Sequence, residues 1–406
     1  MSKKNKAPRL GSAANGISSL LASLVCILIG LTVGFAVLLA LGGITLAQEG
    51  NTASFSELLK TTWEQGFKPI VQGGFYKKAN TMGMGVRMEI LQAAPLVMTG
   101  LSVAFAFKTG LFNIGAAGQY TVGAFFALYS AIILKMPWWA CLLMAALGGA
   151  LWGAIPGIFK AFLNVNEVIT AIMFNWIGLY AVNTMIYQKG AGPMFNLKTT
   201  KTFTIKETSP ASLLPSFNIN VDGKAYFGKM FQPTIGIFIA IAVAIVVWVI
   251  INKTTFGYEL KACGHNKEAA KYAGINEKKN IVLSMAIAGA LAGLGAGLFY
   301  LSGSKEWEPL VSTALPAAGF NGISVALLAS SNPLGCIFSA LFISHITTGG
   351  GFMFAKLFPS EVADIISGVV IYLCAFSLLL KGGILKLINR NAKPISKIPE
   401  RKEDKA

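Results

Sequence analysis

The chain has 406 residues, of which 54% are apolar and only 13% are charged, whereas a globular domain is roughly 25% charged. This composition excludes intrinsic disorder and a conventional water-soluble surface. The net charge of +17 is also found in nucleic-acid-binding proteins. Here, however, the charges form small clusters separated by long uncharged stretches, and that pattern is typical of a polytopic membrane protein.

The uncharged stretches predict membrane spans, because a spanning helix needs about 20 predominantly apolar residues. Four intervals without a charged residue hold one helix each: 10–48, 90–107, 109–134 and 136–159. Further spans are predicted over residues 167–188, 230–252, 280–302 and 362–380. The interval 308–356 holds two helices, because Ser331, Asn332 and Pro333 form a turn within it. The sequence therefore predicts an all-α, polytopic integral membrane protein with about ten transmembrane helices.

Ten spans place both termini on one side, and the positive-inside rule assigns that side. The N-terminus, the turns at Lys108 and Lys160, residues 253–279 and the tail carry 20 of the 34 Lys and Arg residues. This face is therefore expected to be cytoplasmic, with an N-in, C-in topology. The predicted organisation is a basic N-terminus (1–16), a transmembrane domain (17–380) with external loops at about 49–88 and 189–229 and a cytoplasmic loop at 253–279, and a basic cytoplasmic tail (381–406).

Three glycines in the seventh predicted span recur at helical spacing. Gly289, Gly293 and Gly297 lie four residues apart and form one face without side chains. Another helix can pack closely against such a face. We therefore interpret these glycines as helix-packing residues.

Residues 253–279 contain signals for a short helix outside the bilayer. Asn266 is a typical N-cap, Glu268 lies in the first turn, where the helix dipole favours an acid, and Gly274 can end the helix. The predicted helix is amphipathic and about two turns long. It lies in the loop that the charge distribution places in the cytoplasm.

This helix and three other runs resemble one transporter family. The Glu-Ala-Ala core resembles the EAA-type coupling loop of ABC importer permeases, which docks on the ATPase subunit. GLFNIGAAGQYTVGA (110–124) resembles the N-I-G-x-x-G-Q signature of permeases for branched-chain amino acids, simple sugars and nucleosides. AAGFNGISVALLASSNPLG (317–335) resembles a motif of the sugar and nucleoside branch, and NEVITAIMFNWI (166–177) lies between them.

The chain looks most like the larger permease of purine-nucleoside importers, whose relatives have a long first external loop such as 49–88 here. It departs from the family pattern at two places. Ala117 replaces the usual glutamate of G-A-E-G-Q, and the insertion 189–229 has no obvious family counterpart. The resemblance assigns ATPase coupling to these residues: Gly264, Asn266, Glu268, Ala269, Ala270 and Gly274.

The resemblance implies a transport subunit of the cell membrane rather than an enzyme. Its expected partners are an ABC ATPase subunit, a second permease in a heterodimer, an extracytoplasmic substrate-binding lipoprotein and membrane lipids, with no nucleic acid. No cofactor is expected in this chain, since ATP and Mg²⁺ belong to the ATPase. The chain accordingly contains no G-x-x-x-x-G-K-[ST] phosphate loop.

Polar groups inside spans are costly, so they are candidates for the solute pathway. The candidates are Asn113, Gln119, Glu167, Asn175 and Asn321. Gly115 and Gly118 mark a place where a helix can break. In the alternative interpretation, the amides tie helices together by hydrogen bonds, and Glu167 lies at the cytoplasmic interface.

The sequence predicts an ATP-driven permease for nucleosides, with a simple-sugar permease as the alternative. An ion-coupled secondary transporter is a further alternative, but such proteins usually rely on intramembrane carboxylates. The predicted spans are almost free of acids away from their ends. A membrane-embedded enzyme is disfavoured because no nucleophile, base or metal set is clustered.

Overall fold

The computed structural model describes residues 12–48, 54–76, 82–188, 192–217, 220–221, 224–225, 233–309, 311, 313–359 and 361–375. The predictions for the basic N-terminus before Ser12, for the end of the tenth span and for the tail 381–406 lie outside these residues. The described chain is mostly helical, and its strands are two residues long. The prediction of a polytopic helical protein is confirmed.

The long helices follow the predicted spans in order. They are α1 (Ser12–Gln48), α4 (Met82–Lys108), α5 (Ala116–Ile132), α6 (Trp138–Leu163), α7 (Glu167–Tyr187), α9 (Gly236–Lys253), α12 (Glu277–Tyr300), α13 (Ala317–Leu328), α14 (Pro333–Gly350) and α15 (Glu361–Ala375). Between them lie α2 (Phe55–Thr61), a π-helix (Thr62–Phe67), α3 (Lys68–Gln72), α8 (Ile205–Thr208), α10 (Thr255–His265) and α11 (Lys267–Tyr272), with 3-10 turns at Gly73–Phe75 and Pro210–Ser212.

Seven helices of the described chain are long and apolar enough to cross a membrane: α1, α4, α6, α7, α9, α12 and α14. The other three predicted spans are shorter, with 17 residues in α5, 12 in α13 and 15 in α15. At 1.5 Å per residue α13 is about 18 Å long, against a hydrocarbon core of about 30 Å. α5 and α13 are short because they are preceded by non-helical residues, 109–115 before α5 and the described residues 301–309, 311 and 313–316 before α13.

Asparagine side chains cap the N-termini of four helices. The Oδ1 atoms of Asn166, Asn266, Asn276 and Asn332 each accept a hydrogen bond of 2.8–3.0 Å from a backbone N–H of the first turn. These are side-chain caps of otherwise unpaired N–H groups. The helix starts at α7, α11, α12 and α14 are therefore encoded locally.

The helix of the second predicted span begins earlier than expected, so that Glu89 lies inside it. α4 begins at Met82, seven residues before Glu89, so Glu89 lies within a helix rather than at its end. Its Oε2 atom accepts from the Gly74 N–H at 2.8 Å, and its Oε1 atom is 3.1 Å from His345 Nδ1. His345 Nε2 in turn lies 2.9 Å from the Val71 carbonyl. The pair anchors the helical segment 55–75, which was expected to be part of a plain external loop.

α12 is the central helix and packs most extensively against α6. A Cβ on Gly289 would collide with the Gly149 carbonyl, and a Cβ on Gly293 would collide with that of Ala145. Gly297 faces Leu142 and Ala145 in the same interface. The three predicted glycines thus lie where the backbones of α12 and α6 approach most closely.

The bundle has two distinct ends, separated by the length of α12. Its 24 residues span about 36 Å. At its start lie α10 and α11 with the turns 108–110 and 164–166, which we call the coupling end. At the finish of α12 lie residues 301–309, 311, 313–316 and 192–217, which we call the hairpin end. This second region contains an antiparallel hairpin of β1 (Phe195–Asn196) and β2 (Lys201–Thr202), and a second hairpin follows from β3 (Asn220–Val221) and β4 (Lys224–Ala225).

Candidate functional site

The connection between α4 and α5 is a break within the bundle. α4 ends at Lys108, residues 109–115 are non-helical, and α5 begins at Ala116. Asn113, in the middle of this break, is fully buried. Non-helical backbone at membrane depth needs other groups to satisfy its hydrogen bonds, so the partners of residues 109–118 are important.

Asn175 of α7 provides two of these hydrogen bonds. Its Oδ1 atom accepts from the Gly118 N–H at 2.7 Å, and its Nδ2 atom donates to the Ile114 carbonyl at 3.0 Å. Asn175 is 1% exposed. In this structure its amide therefore ties α7 to the break.

Asn113 and Gln119 form a reciprocal amide pair beside it. Asn113 Nδ2 donates to Gln119 Oε1 at 2.8 Å, and Gln119 Nε2 donates back to Asn113 Oδ1 at 3.0 Å. Asn113 Nδ2 also donates to Ser102 Oγ of α4 at 2.9 Å. Both amides are thus occupied by protein groups.

Glu167 lies at the coupling end, at the start of α7. Its Oε2 atom forms an ion pair with Lys160 Nζ at 2.9 Å. The pair joins the end of α6 to the start of α7. Glu167 therefore lies at the end of a helix and is paired with a lysine, rather than unpaired in the middle of a span.

A cavity of about 440 Å³ lies at the hairpin end. This volume is within the range of ligand pockets, about 300–1,000 Å³. Its lining residues are Gln92, Pro95, Leu96, Tyr120, Phe299, Tyr300, Lys305, Glu306, Trp307, Glu308, Val311, Ala314, Pro316, Ala317, Ala318, Asn321 and Thr347. Of the five predicted pathway residues, Asn321 lies in this wall, and Gln119 directly precedes the lining residue Tyr120.

Aromatic rings and a few polar groups make up the chemistry of the cavity. The rings of Tyr120 and Trp307 both contact that of Tyr300, with centroid distances to it of 6.4 and 5.7 Å. Gln92 and Asn321 supply amide groups and Thr347 a hydroxyl group, and the carboxylates of Glu306 and Glu308 also line the cavity. Aromatic rings stack on planar solutes, amides donate and accept hydrogen bonds, and carboxylates accept them from hydroxyls.

Sequence reasoning missed most of this wall. Tyr300 and Trp307 have no pattern that separates them from ordinary packing aromatics, and Glu306 and Glu308 look like charges of a solvent-exposed loop. Gln92 could have been predicted to line the cavity, since it is a polar residue inside the second predicted span. The other residues come together only through the tertiary fold.

The short helix at the coupling end has the predicted boundaries. Asn266 Oδ1 accepts from the Ala269 N–H at 3.0 Å, and α11 ends before Gly274, whose φ is +79°, a conformation that glycine adopts without strain. Ala270 is buried, whereas Glu268 is exposed. The preceding helix α10, which was not predicted, extends the structured part of this loop.

α10 contacts the start of the break directly. Gly264 lies against the backbone of Thr109 and Gly110, so closely that a Cβ on Gly264 would meet the Gly110 nitrogen at 2.7 Å. Thr109 is also hydrogen-bonded to Ser284 of α12. The loop 253–279 is thus connected to residues 109–115 and, through them, to the cavity wall.

Comparison with known proteins identifies the family. The family described as branched-chain amino acid transport system, permease component, matches residues 87–375, which include the break, the cavity and α10–α11. The guanosine ABC transporter permease protein NupP of Bacillus subtilis is 35% identical over 93% of this chain and 99% of its own length.

Two further relatives show the same class of protein. The nucleoside ABC transporter permease protein NupB of Lactococcus lactis is 36% identical over 72% of this chain and 80% of its own length. NupQ, another guanosine ABC transporter permease protein of Bacillus subtilis, is 26% identical over 63% of this chain and 78% of its own length. No solved structure matches. The chain therefore belongs to the permease components of the branched-chain amino acid transport family and is a multi-pass plasma-membrane protein.

Proposed function

We propose that this chain is a permease subunit of an ATP-driven nucleoside importer and forms part of the translocation path. The cavity of about 440 Å³ is the observation that carries the proposal. The relatives whose names specify guanosine and nucleosides support the same solute class. Asn113, Gln119, Asn175 and Asn321 are proposed to belong to the path.

The chemistry of the cavity suits an uncharged solute with a planar base and a hydroxylated sugar. Tyr300 and its neighbouring rings offer apolar surface to a base, and Asn321 offers an amide that can both donate and accept. A path must also release its cargo, so weak contacts of this kind are favourable. A free sugar has no planar base that could stack on the aromatic residues of the cavity wall.

The coupling end gives a physical route from an ATPase to the cavity. Closure of an ATPase on Glu268 and the exposed surface of α11 would displace α10, which contacts Gly110 through Gly264. Residues 109–115 lead from there to Gln119 and the cavity-lining Tyr120. Packed contacts of this kind can carry coupling between distant sites.

The proposed assembly contains three other kinds of subunit. A separate ATPase binds ATP and Mg²⁺, an extracytoplasmic lipoprotein delivers the nucleoside, and a second, related permease completes the path. Bacillus subtilis has two guanosine ABC permease proteins similar to this chain, which supports a heterodimer.

Uptake in a deletion strain tests the solute. Deletion of this chain is expected to abolish uptake of radiolabelled guanosine at nanomolar to micromolar concentration and to leave ribose uptake unchanged, and a plasmid copy restores it. Loss of ribose uptake with intact guanosine uptake would replace the nucleoside assignment with the simple-sugar alternative. Depletion of ATP with the proton gradient maintained should stop uptake, whereas continued uptake would favour an ion-coupled transporter.

Ten crossings, with the coupling end in the cytoplasm and the hairpin end outside, are part of the proposal. Lys198 and Lys271 are exposed and lie at the hairpin and coupling ends. Both cysteine variants are made in a Cys374→Ser background, in which the four remaining native cysteines are buried. An impermeant maleimide should then label Lys198→Cys in intact cells and Lys271→Cys only after lysis. The reverse result would invert the topology.

A further inference from the structure

The β1–β2 hairpin lies in the insertion 189–229, to which the family resemblance gives no role. It does not line the cavity. Its second strand instead forms a hydrogen bond with Trp307 and an ion pair with Glu308. Both of these residues line the cavity. The hairpin is therefore next to the cavity wall and outside it.

Thr202 and Trp307 are bonded in both directions. The Thr202 N–H donates to the Trp307 carbonyl at 2.9 Å, and the Trp307 N–H donates to Thr202 Oγ1 at 3.1 Å. Trp307 Nε1 donates to Asn183 Oδ1 of α7 at 2.8 Å. Thr202 is 1% and Trp307 2% exposed. The indole is thus held at its backbone by the hairpin and at its ring by α7.

Lys201, which precedes Thr202, and Glu308, which follows Trp307, form an ion pair. Lys201 Nζ lies 2.8 Å from Glu308 Oε1, with the side chains 39% and 28% exposed. The hydrogen bond from Lys201 holds the pKa of Glu308 below its ordinary value, with a smaller contribution from Lys305. Removal of Lys201 would leave a negative charge in the cavity wall without its main partner.

We propose that the hairpin is a positioning element of the solute cavity, in which Thr202 fixes Trp307 and Lys201 neutralises Glu308, so that the cavity accepts an uncharged solute. The inference rests on the proposed function, because it concerns the same cavity. Lys201 and Thr202 are positioning residues, since they act on the solute only through Trp307 and Glu308.

Uptake by the complete transporter, with its ATPase and binding protein, tests this role. Lys201→Gln is expected to lower the maximal rate of guanosine uptake about two- to fivefold, as for the loss of a partly exposed ion pair. Lys201→Arg keeps the charge and should retain the rate. Lys198→Gln removes an exposed lysine of the same hairpin and is the matched control. Immunoblots of the membrane fraction correct each rate for the amount of permease.

A second substitution separates charge neutralisation from folding. Lys201→Gln combined with Glu308→Gln removes both charges and should recover most of the lost rate, which a misfolded hairpin would not do. Glu308→Gln alone should cost less than Lys201→Gln, because the remaining lysine can be solvated.

Two results would overturn the role of the hairpin while the proposed function stands. These are a wild-type rate in Lys201→Gln, and a double variant as slow as the single one. Absence of guanosine uptake by the wild-type transporter would overturn the proposed function itself, so the two failures are distinguishable.

Discussion

Asn175 is the residue on which the break between α4 and α5 most depends, because it satisfies one N–H and one carbonyl group there. Asn175→Ala leaves both groups buried and unpaired, at a cost of about 1–3 kcal/mol each. We expect the purified permease in detergent to melt several degrees lower. Asn252→Ala is the control, since Asn252 is exposed and donates to the Trp248 carbonyl of its own helix. Equal melting of the two variants would show that Asn175 does not hold the break.

The Lys201–Glu308 pair has a defined pH dependence. The pKa of Glu308 is lowered from 4.5, so its contribution is present above that value and lost as the pH falls through the lowered pKa. The pKa of Lys201 is raised from 10.5, so its contribution is present below that value and lost as the pH rises through the raised pKa. The pair therefore persists across the neutral range.

The uptake deficit of Lys201→Gln should accordingly be constant between about pH 5.5 and pH 8. It should shrink as the external pH falls below the ordinary pKa of a glutamic acid, because Glu308 then becomes neutral. Rates in proteoliposomes that contain the complete transporter provide the measurement. A deficit that varies through the neutral range would identify another titrating group as the cause.

At the scale of elements, the contact between α6 and α12 requires glycine. Gly293→Ala places a Cβ against the Ala145 carbonyl, and the strain of such overpacking is about 1–3 kcal/mol. We expect less folded permease by size-exclusion chromatography and a lower melting temperature. Gly368→Ala is the same substitution where no atom lies within 4 Å of the new Cβ, and it should match the wild type. If both variants behave alike, close packing is not the reason for the glycine.

α11 should bind the ATPase through its exposed face. Glu268→Lys reverses an exposed charge without changing the cap at Asn266, so membrane insertion should be normal while less ATPase copurifies with the permease. Glu207→Lys makes the same change on α8 at the hairpin end and should have no effect on copurification. Normal ATPase binding and uptake in Glu268→Lys would remove α11 from the interface.

Charge gaps and caps predict the positions of the helices, but not all of their ends. The cap at Asn266 and the stop at Gly274 are local, and the structure has both. The start of α5 depends on Asn175, which is distant in sequence from the break. No local pattern could show that residues 109–115 are non-helical over their whole length.

At the scale of the whole molecule, the site is a product of the tertiary fold. Its wall comes from five helices and from residues 305–308, 311, 314 and 316, and family motifs pointed to only part of it. Asn321 was identified because it belongs to a motif, whereas Trp307 was not, because the contacts that place it come from the hairpin and α7. The family was predictable from ordered motifs that span most of the chain.

The central claim is that a nucleoside occupies the cavity between α4, α5, α12 and α13. Photolabelling of the reconstituted transporter with 8-azidoguanosine, followed by peptide mass spectrometry, tests it most directly. The label should lie within residues 299–321, be displaced by excess guanosine and decrease in Asn321→Leu. Labelling of exposed residues outside the cavity, such as Leu147 and Leu151 of α6, or labelling that guanosine does not displace, would contradict the claim.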